Sequence, residues 1–180
     1  MRLQSRIALG YLALSLIACS TISPSTQEIK PRSGDFSIQY KWAQGSLPPP
    51  FHYEYSIRIG PTGEGQLEMI PDYPGDHIPV WIEPFTVSQG NLEKLFQLMS
   101  DQGLFTQDWR PQVHAPVGGS SEWLAVTAGG QRIDVPASVA VNQAAAAKEI
   151  YVAINALVPQ AVWDKLNTQH DRYIQEHLRP

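Results

Sequence analysis

The sequence predicts an α+β fold: an antiparallel sheet of about five to six strands, a meander plus a hairpin, covered by about three helices. Three observations carry this. Asp35 to Trp42 (DFSIQYKW) alternates, with Phe36, Ile38, Tyr40 and Trp42 pointing one way and Asp35, Ser37, Gln39 and Lys41 the other, the period of a half-buried strand. Two apolar-rich runs, Glu122–Ala128 and Gln131–Val135, flank Gly129-Gly130, a hairpin signal. Leu92, Leu95, Phe96 and Met99 recur at helical spacing.

The elements follow in order. Gly45–Pro50 (GSLPPP) reads as a rigid connection, because consecutive prolines favour polyproline II. His52 to Ile59 alternates again, with Tyr53, Tyr55, Ile57 and Ile59 inward; Gly60–Gly65 is a turn and Gln66–Ile70 a shorter strand. After the loop Pro71–His77, Ile78–Ile82 is expected to be an edge strand, since Pro79 cannot donate to a ladder. Ser88 is the expected N-cap of the first helix, and Gly103 its C′ residue with Leu104 touching Met99. A second helix is expected over Gln143–Val158 with Ala147, Ile150, Ile154 and Leu157 inward. Pro159 suits the first turn of a third, striped by Trp163, Leu166, Tyr173, Ile174 and Leu178, with Asp171, Arg172 and Glu176 facing water. This order is similar to that of several small bacterial α+β domains of unknown function over roughly Tyr53 to Leu157, a likeness that brings no catalytic residues.

The N-terminus carries a different message. Arg2 and Arg6 form a positive start, and Ile7–Ala18 is an uncharged run of only about twelve residues, against about 20 for a bilayer crossing. Leu16-Ile17-Ala18-Cys19 resembles the bacterial lipobox. The resemblance implies that residues 1–18 are a lipoprotein signal peptide and that Cys19 receives a diacylglyceryl group. Cleavage before Cys19 then frees its amine for a further acyl chain such as palmitate. Two or more chains anchor stably where one does not. Ser20 follows the cysteine; in the enterobacterial sorting scheme this implies the periplasmic side of the outer membrane rather than the inner membrane. Residues 19–34 read as the lipidated cysteine and a flexible tether, about 13 residues of which reach roughly 20 Å. Residues 35–180 read as one domain.

Composition excludes several partners. The chain has one cysteine, Cys19, so the domain has no disulfide and relies on its core. The formal net charge is −4, and with Arg2 and Arg6 in the signal peptide the mature part is more acidic still. That argues against nucleic acid and against electrostatic docking on anionic lipid.

Chemistry-bearing motifs are sparse. Asp72, Asp76 and His77 share one Gly/Pro loop, with Glu83 just beyond, and are the candidate metal ligands; a solvated turn in which Asp favours the bend accounts for the same residues. Ser120 and Ser121 do not stand in a G-x-S-x-G elbow. His52, His77 and His114 are the available bases, while His170 and His177 fall on the last helix. There is no H-E-x-x-H, C-x-x-C, EF-hand loop or glycine-rich phosphate loop. Among the aromatics, Trp109 beside Arg110 in a loop has the composition of an exposed binding hot spot. Three readings follow: a non-catalytic envelope lipoprotein that binds a protein partner, a carrier of lipid or another apolar ligand, and a metal-assisted enzyme using Asp72, Asp76 and His77. The missing catalytic motifs favour the first, and no cofactor is expected.

Overall fold

The computed structural model describes residues 31–114 and 118–178. Cys19 and the tether as far as residue 30 lie outside the described residues. The elements are β1 (Ser37–Ala43), β2 (Glu54–Ile59), β3 (Glu64–Ile70), β4 (Trp81–Thr86), α1 (Gln89–Asp101), β5 (Ser121–Ala128), β6 (Gln131–Val135), α2 (Ala144–Ala156) and α3 (Gln160–His177), with one turn of 3-10 helix, Val141–Gln143, before α2. The described strands form a single six-stranded antiparallel sheet in the order β4-β3-β2-β1-β5-β6. The fold is α+β, an antiparallel sheet with three helices, as the alternating and helical periods predict.

Register puts one apolar row on one face. Ile38 lies opposite Ile59 on one side and Val126 on the other; Tyr40 lies between Ile57 and Leu124. Leu67 stands opposite Ile57 and Val135 opposite Leu124. These residues pack with Leu92, Leu95, Phe96 and Met99 of α1, Ala147, Ile150 and Ile154 of α2, and Leu166 of α3 in one buried core. Gly65 sits under the Phe85 ring, where a Cβ would collide with it. Of the described helices, none is long and apolar enough to cross a membrane.

Helix ends behave as local chemistry requires. The Ser88 hydroxyl accepts from Asn91 N–H at 3.2 Å, capping α1. Gly103 has φ +74°, and Leu104 N–H reaches back to Met99 O at 2.8 Å, a Schellman ending. Pro159 precedes the first turn of α3 rather than lying within it. The edge strand is real but displaced from the expected 78–82: Ile78 bonds to Gly75 O in a turn, and Trp81–Thr86 pairs with β3. The proline that β4 accommodates is therefore Pro84, on an edge where a missing N–H breaks no second ladder. The apolar stripe of α3 stops early as well. Leu178, expected inward, is the C-cap residue and is 57 % exposed.

The chain enters the domain sooner than its composition suggests. Arg32 and Ser33, which read as tether, are held by the folded part. The Arg32 guanidinium donates to Glu93 Oε1 and Pro61 O, both at 3.2 Å, and to Gln89 Oε1. Ser33 Oγ accepts from Gly129 N–H at 3.0 Å. The Asp35 carboxylate accepts from Gly129 N–H at 2.8 Å and Gly130 N–H at 2.7 Å, in a turn whose two glycines have φ of 60° and 73°. The N–H of Gly130 first, then the Ser33 hydroxyl and Gly129 N–H, hold the Asp35 carboxyl below its ordinary 3.8. A depressed carboxyl contributes stability above its unfolded value and loses it as pH falls through the folded one. Asp35→Ala should therefore speed amide exchange at Gly129 and Gly130. It should also remove the part of the acid destabilisation that wild type shows below 3.8, read from urea midpoints across that range.

Candidate functional site

The loop Pro71–His77 does not gather its ligand candidates. Asp72 is buried; its Oδ1 accepts from Tyr73 N–H at 2.7 Å and its Oδ2 from the Tyr173 hydroxyl at 3.4 Å, so it docks the loop onto α3. Asp76 and His77 are exposed, and Glu83 pairs with Lys165 at 2.6 Å. Among the described residues, no three His, Cys, Asp or Glu side chains are grouped so that they could hold a metal ion.

The Trp109–Arg110 hot spot is not formed either. Trp109 is 8 % exposed, and its indole N–H donates to Leu104 O at 3.2 Å. Arg110 is exposed and paired with Asp108 at 2.8 Å. The reason is long-range. Gln112 N–H donates to Ser138 O and Ala140 N–H to Arg110 O, both at 2.8 Å, while the buried Gln143 side chain accepts from Arg110 N–H and donates to Asp108 O. A segment that reads as a free loop is thus stitched to the entry of α2, and its tryptophan is drawn into the core. The histidine candidates fare similarly: His52 is buried, stacked on Tyr73 at 3.7 Å, with Nε2 3.3 Å from Glu54 Oε1. No histidine is hydrogen-bonded to a serine among the described residues.

A different site emerges at the end of the sheet opposite Asp35. The alternation of β1 and β2 places Tyr40, Trp42 and Tyr55 beneath α2 and α3. Tyr40 lies 5.4 Å from Tyr151 of α2, Trp42 stacks on Tyr55 at 5.2 Å, and Tyr55 meets Trp163 of α3 edge-on at 5.0 Å. Three tyrosines bring three hydroxyls into this aromatic layer. That of Tyr40 donates to Glu122 Oε1 at 2.7 Å, and that of Tyr55 to Asn155 Oδ1 at 2.8 Å. That of Tyr151 is buried with no partner.

Glu122 is the unusual member. In β5 it shares the helix-facing phase of Leu124 and Val126 and lies opposite Trp42. It and Tyr151 line a pocket of about 220 Å³ between the start of β5, the 137–139 segment and α2; Gln112, Ser120, Ser138 and Lys148 also line it. Among the described residues no cationic side chain lies within ion-pairing distance of Glu122. Burial, and after it the Glu122 charge, pushes the Tyr151 hydroxyl up; burial also raises Tyr40, and pushes Tyr55 up to about 12. All three phenols therefore stay protonated and serve as hydrogen-bonding groups rather than as bases. The pocket offers hydroxyls and a carboxylate that can hold a polar group.

The other face of the sheet supplies a contrast. It also bears a groove, of about 230 Å³, lined by Gln39, Lys41, Ser56, Ile70 and Trp123 among others. Its charges cancel in pairs: Lys41 with Glu54 at 2.5 Å, Arg58 with Glu68 at 3.3 Å, Arg132 with Asp134 at 3.1 Å. Such pairs suit a solvated sheet face. Glu122 and Tyr151 were legible in part from the sequence, since an acidic residue in the inward phase of a strand breaks its pattern; nothing local announces that Tyr151 joins it.

No protein-family model and no curated protein matches this chain.

Two outcomes would separate packing from site roles. Trp109→Ala should lower stability by about 3–5 kcal/mol, as loss of a core aromatic does, measured from the urea midpoint. Tyr40→Phe, losing its bond to a carboxylate, should cost about 1.5–3 kcal/mol, whereas Tyr151→Phe, removing an unpaired buried hydroxyl, should raise stability by about 1 kcal/mol.

Proposed function

We propose that the chain is a lipoprotein of the bacterial cell envelope, anchored through lipid on Cys19 to the periplasmic side of the outer membrane, and that its domain is a non-catalytic module that binds a protein partner. The observation that carries the binding reading is the pocket in which Glu122 has no cation and the Tyr151 hydroxyl no partner. An unsatisfied buried hydroxyl costs stability, and a ligand that completed it beside the half-buried Glu122 carboxylate would offset that cost.

The position of the pocket supports the reading. The chain enters where Arg32 and Asp35 grip α1 and the turns at Pro61 and Gly129-Gly130. The pocket lies at the other end of β1, beside Trp42, which is about 20 Å away at about 3.3 Å per residue. A domain tethered at its entry would present the pocket away from the lipid. A carrier of apolar ligand is less well supported: the space between sheet and helices is occupied by the core residues themselves. Metal-assisted catalysis loses its ligand set with Asp72 buried against α3 and Asp76 and His77 exposed.

The test has two parts. Cys19→Ala should move the protein from the membrane to the soluble fraction; full retention in the membrane would overturn the anchor. A photoreactive residue in place of Ser138, at the pocket rim, should give a discrete protein adduct in intact cells, lost in Glu122→Gln. One in place of Gln66, on the other face, should give none. Absence of any adduct from position 138 would overturn the binding role.

A further inference from the structure

Resting on the binding reading above, we infer that the Glu122 pocket takes a primary ammonium group, as presented by a lysine side chain or a free peptide N-terminus. The acceptor inventory points this way. A carboxylate offers about four lone-pair sites, and Glu122 uses Oε1 for one bond, from Tyr40. The Tyr151 hydroxyl, buried and unpartnered on the α2 side of the same pocket, offers a second acceptor. The Tyr151 ring, 5.4 Å from that of Tyr40, adds an aromatic surface of the kind that favours cations in desolvated sites.

The alternatives fit less well. A guanidinium is best met by both oxygens of a carboxylate, and here a bidentate pair would have to share Oε1 with the Tyr40 hydroxyl. A divalent metal needs several converging ligands, and no group of three acidic, cysteine or histidine side chains is available among the described residues. An anion would have to approach an uncompensated carboxylate. Lys148 is the cation that lines the pocket; it is exposed on α2 and makes no ion pair with Glu122. It acts as a competitor at the rim for the ammonium it resembles. The volume of about 220 Å³ suits the end of a side chain or a peptide terminus rather than a folded surface.

The experiment is an NMR titration of the full chain in detergent micelles with n-butylammonium, a lysine-side-chain mimic, glycinamide, a peptide N-terminus mimic, and butyrate, against sodium chloride at equal ionic strength. Saturable shifts at Glu122 and Tyr151 with either amine are expected. Glu122→Gln should weaken that binding about tenfold or more, the loss of one charge-assisted hydrogen bond. Tyr151→Phe should weaken it while the domain becomes more stable, an outcome that misfolding cannot mimic, and Lys148→Met should leave it unchanged or tighter. The stronger of the two amines identifies the source. Butyrate binding that is lost in Lys148→Met would overturn the inference and leave the binding module standing. No saturable binding of either amine, with the Ser138 adduct intact, would likewise overturn the ammonium alone. If the adduct is absent too, both fail.

Discussion

Strand β1 is hydrogen-bonded along both sides, to β2 and to β5, and its register decides almost everything around it. Phe36, Ile38 and Tyr40 are each no more than 2 % exposed, so the strand must keep this phase or lose its entire buried set. From that phase follow the rows of β2, β3 and β5, and from those rows the surface on which the three helices lie. The same phase places Asp35 at the β5–β6 turn and Trp42 at the far end beside Glu122. One strand thus connects the point where the chain enters to the wall of the pocket.

The two ends of that strand are built on different principles. At the entry every polar group is matched: Arg32 has three acceptors and the Asp35 carboxylate two backbone donors from the glycine turn. At the far end the aromatic layer carries hydroxyls into a buried zone, and one of the three is left unmatched. A domain without disulfides tolerates such a cost because its core runs without interruption from Phe36 to Leu166. The contrast with the open sheet face sharpens the point. There, two cross-strand pairs and one pair within β6 neutralise the charges, whereas Glu122 sits among phenols with a single neutral donor.

Trp109 illustrates how tertiary structure overrides a local reading. Its neighbours Asp108, Arg110 and Pro111 suggest a surface loop, and Arg110 is indeed exposed. What draws the indole inward is Gln143, more than thirty residues on, which bonds the backbone on both sides of it. The displaced edge strand has a simpler origin. Both 78–82 and 81–86 contain a proline, and pairing of Met69 with Trp81 and Gly65 with Phe85 selects the second.

The sequence by itself determined the alternation of β1 and β2, the Gly129-Gly130 hairpin, the Ser88 and Gly103 helix ends, and hence the α+β class, because each depends on side chains within a few residues of one another. It also carries the lipobox likeness at Cys19, which lies outside the described residues. Only the tertiary structure decided which residues meet at the pocket. Tyr40 and Glu122 are 82 positions apart and Tyr55 and Asn155 100 apart, and their contact is set by sheet order and helix placement rather than by any local period. For the same reason Asp72, Asp76 and His77, close in the chain, are divided between core and solvent, while Glu122 and Tyr151, distant in it, line one pocket.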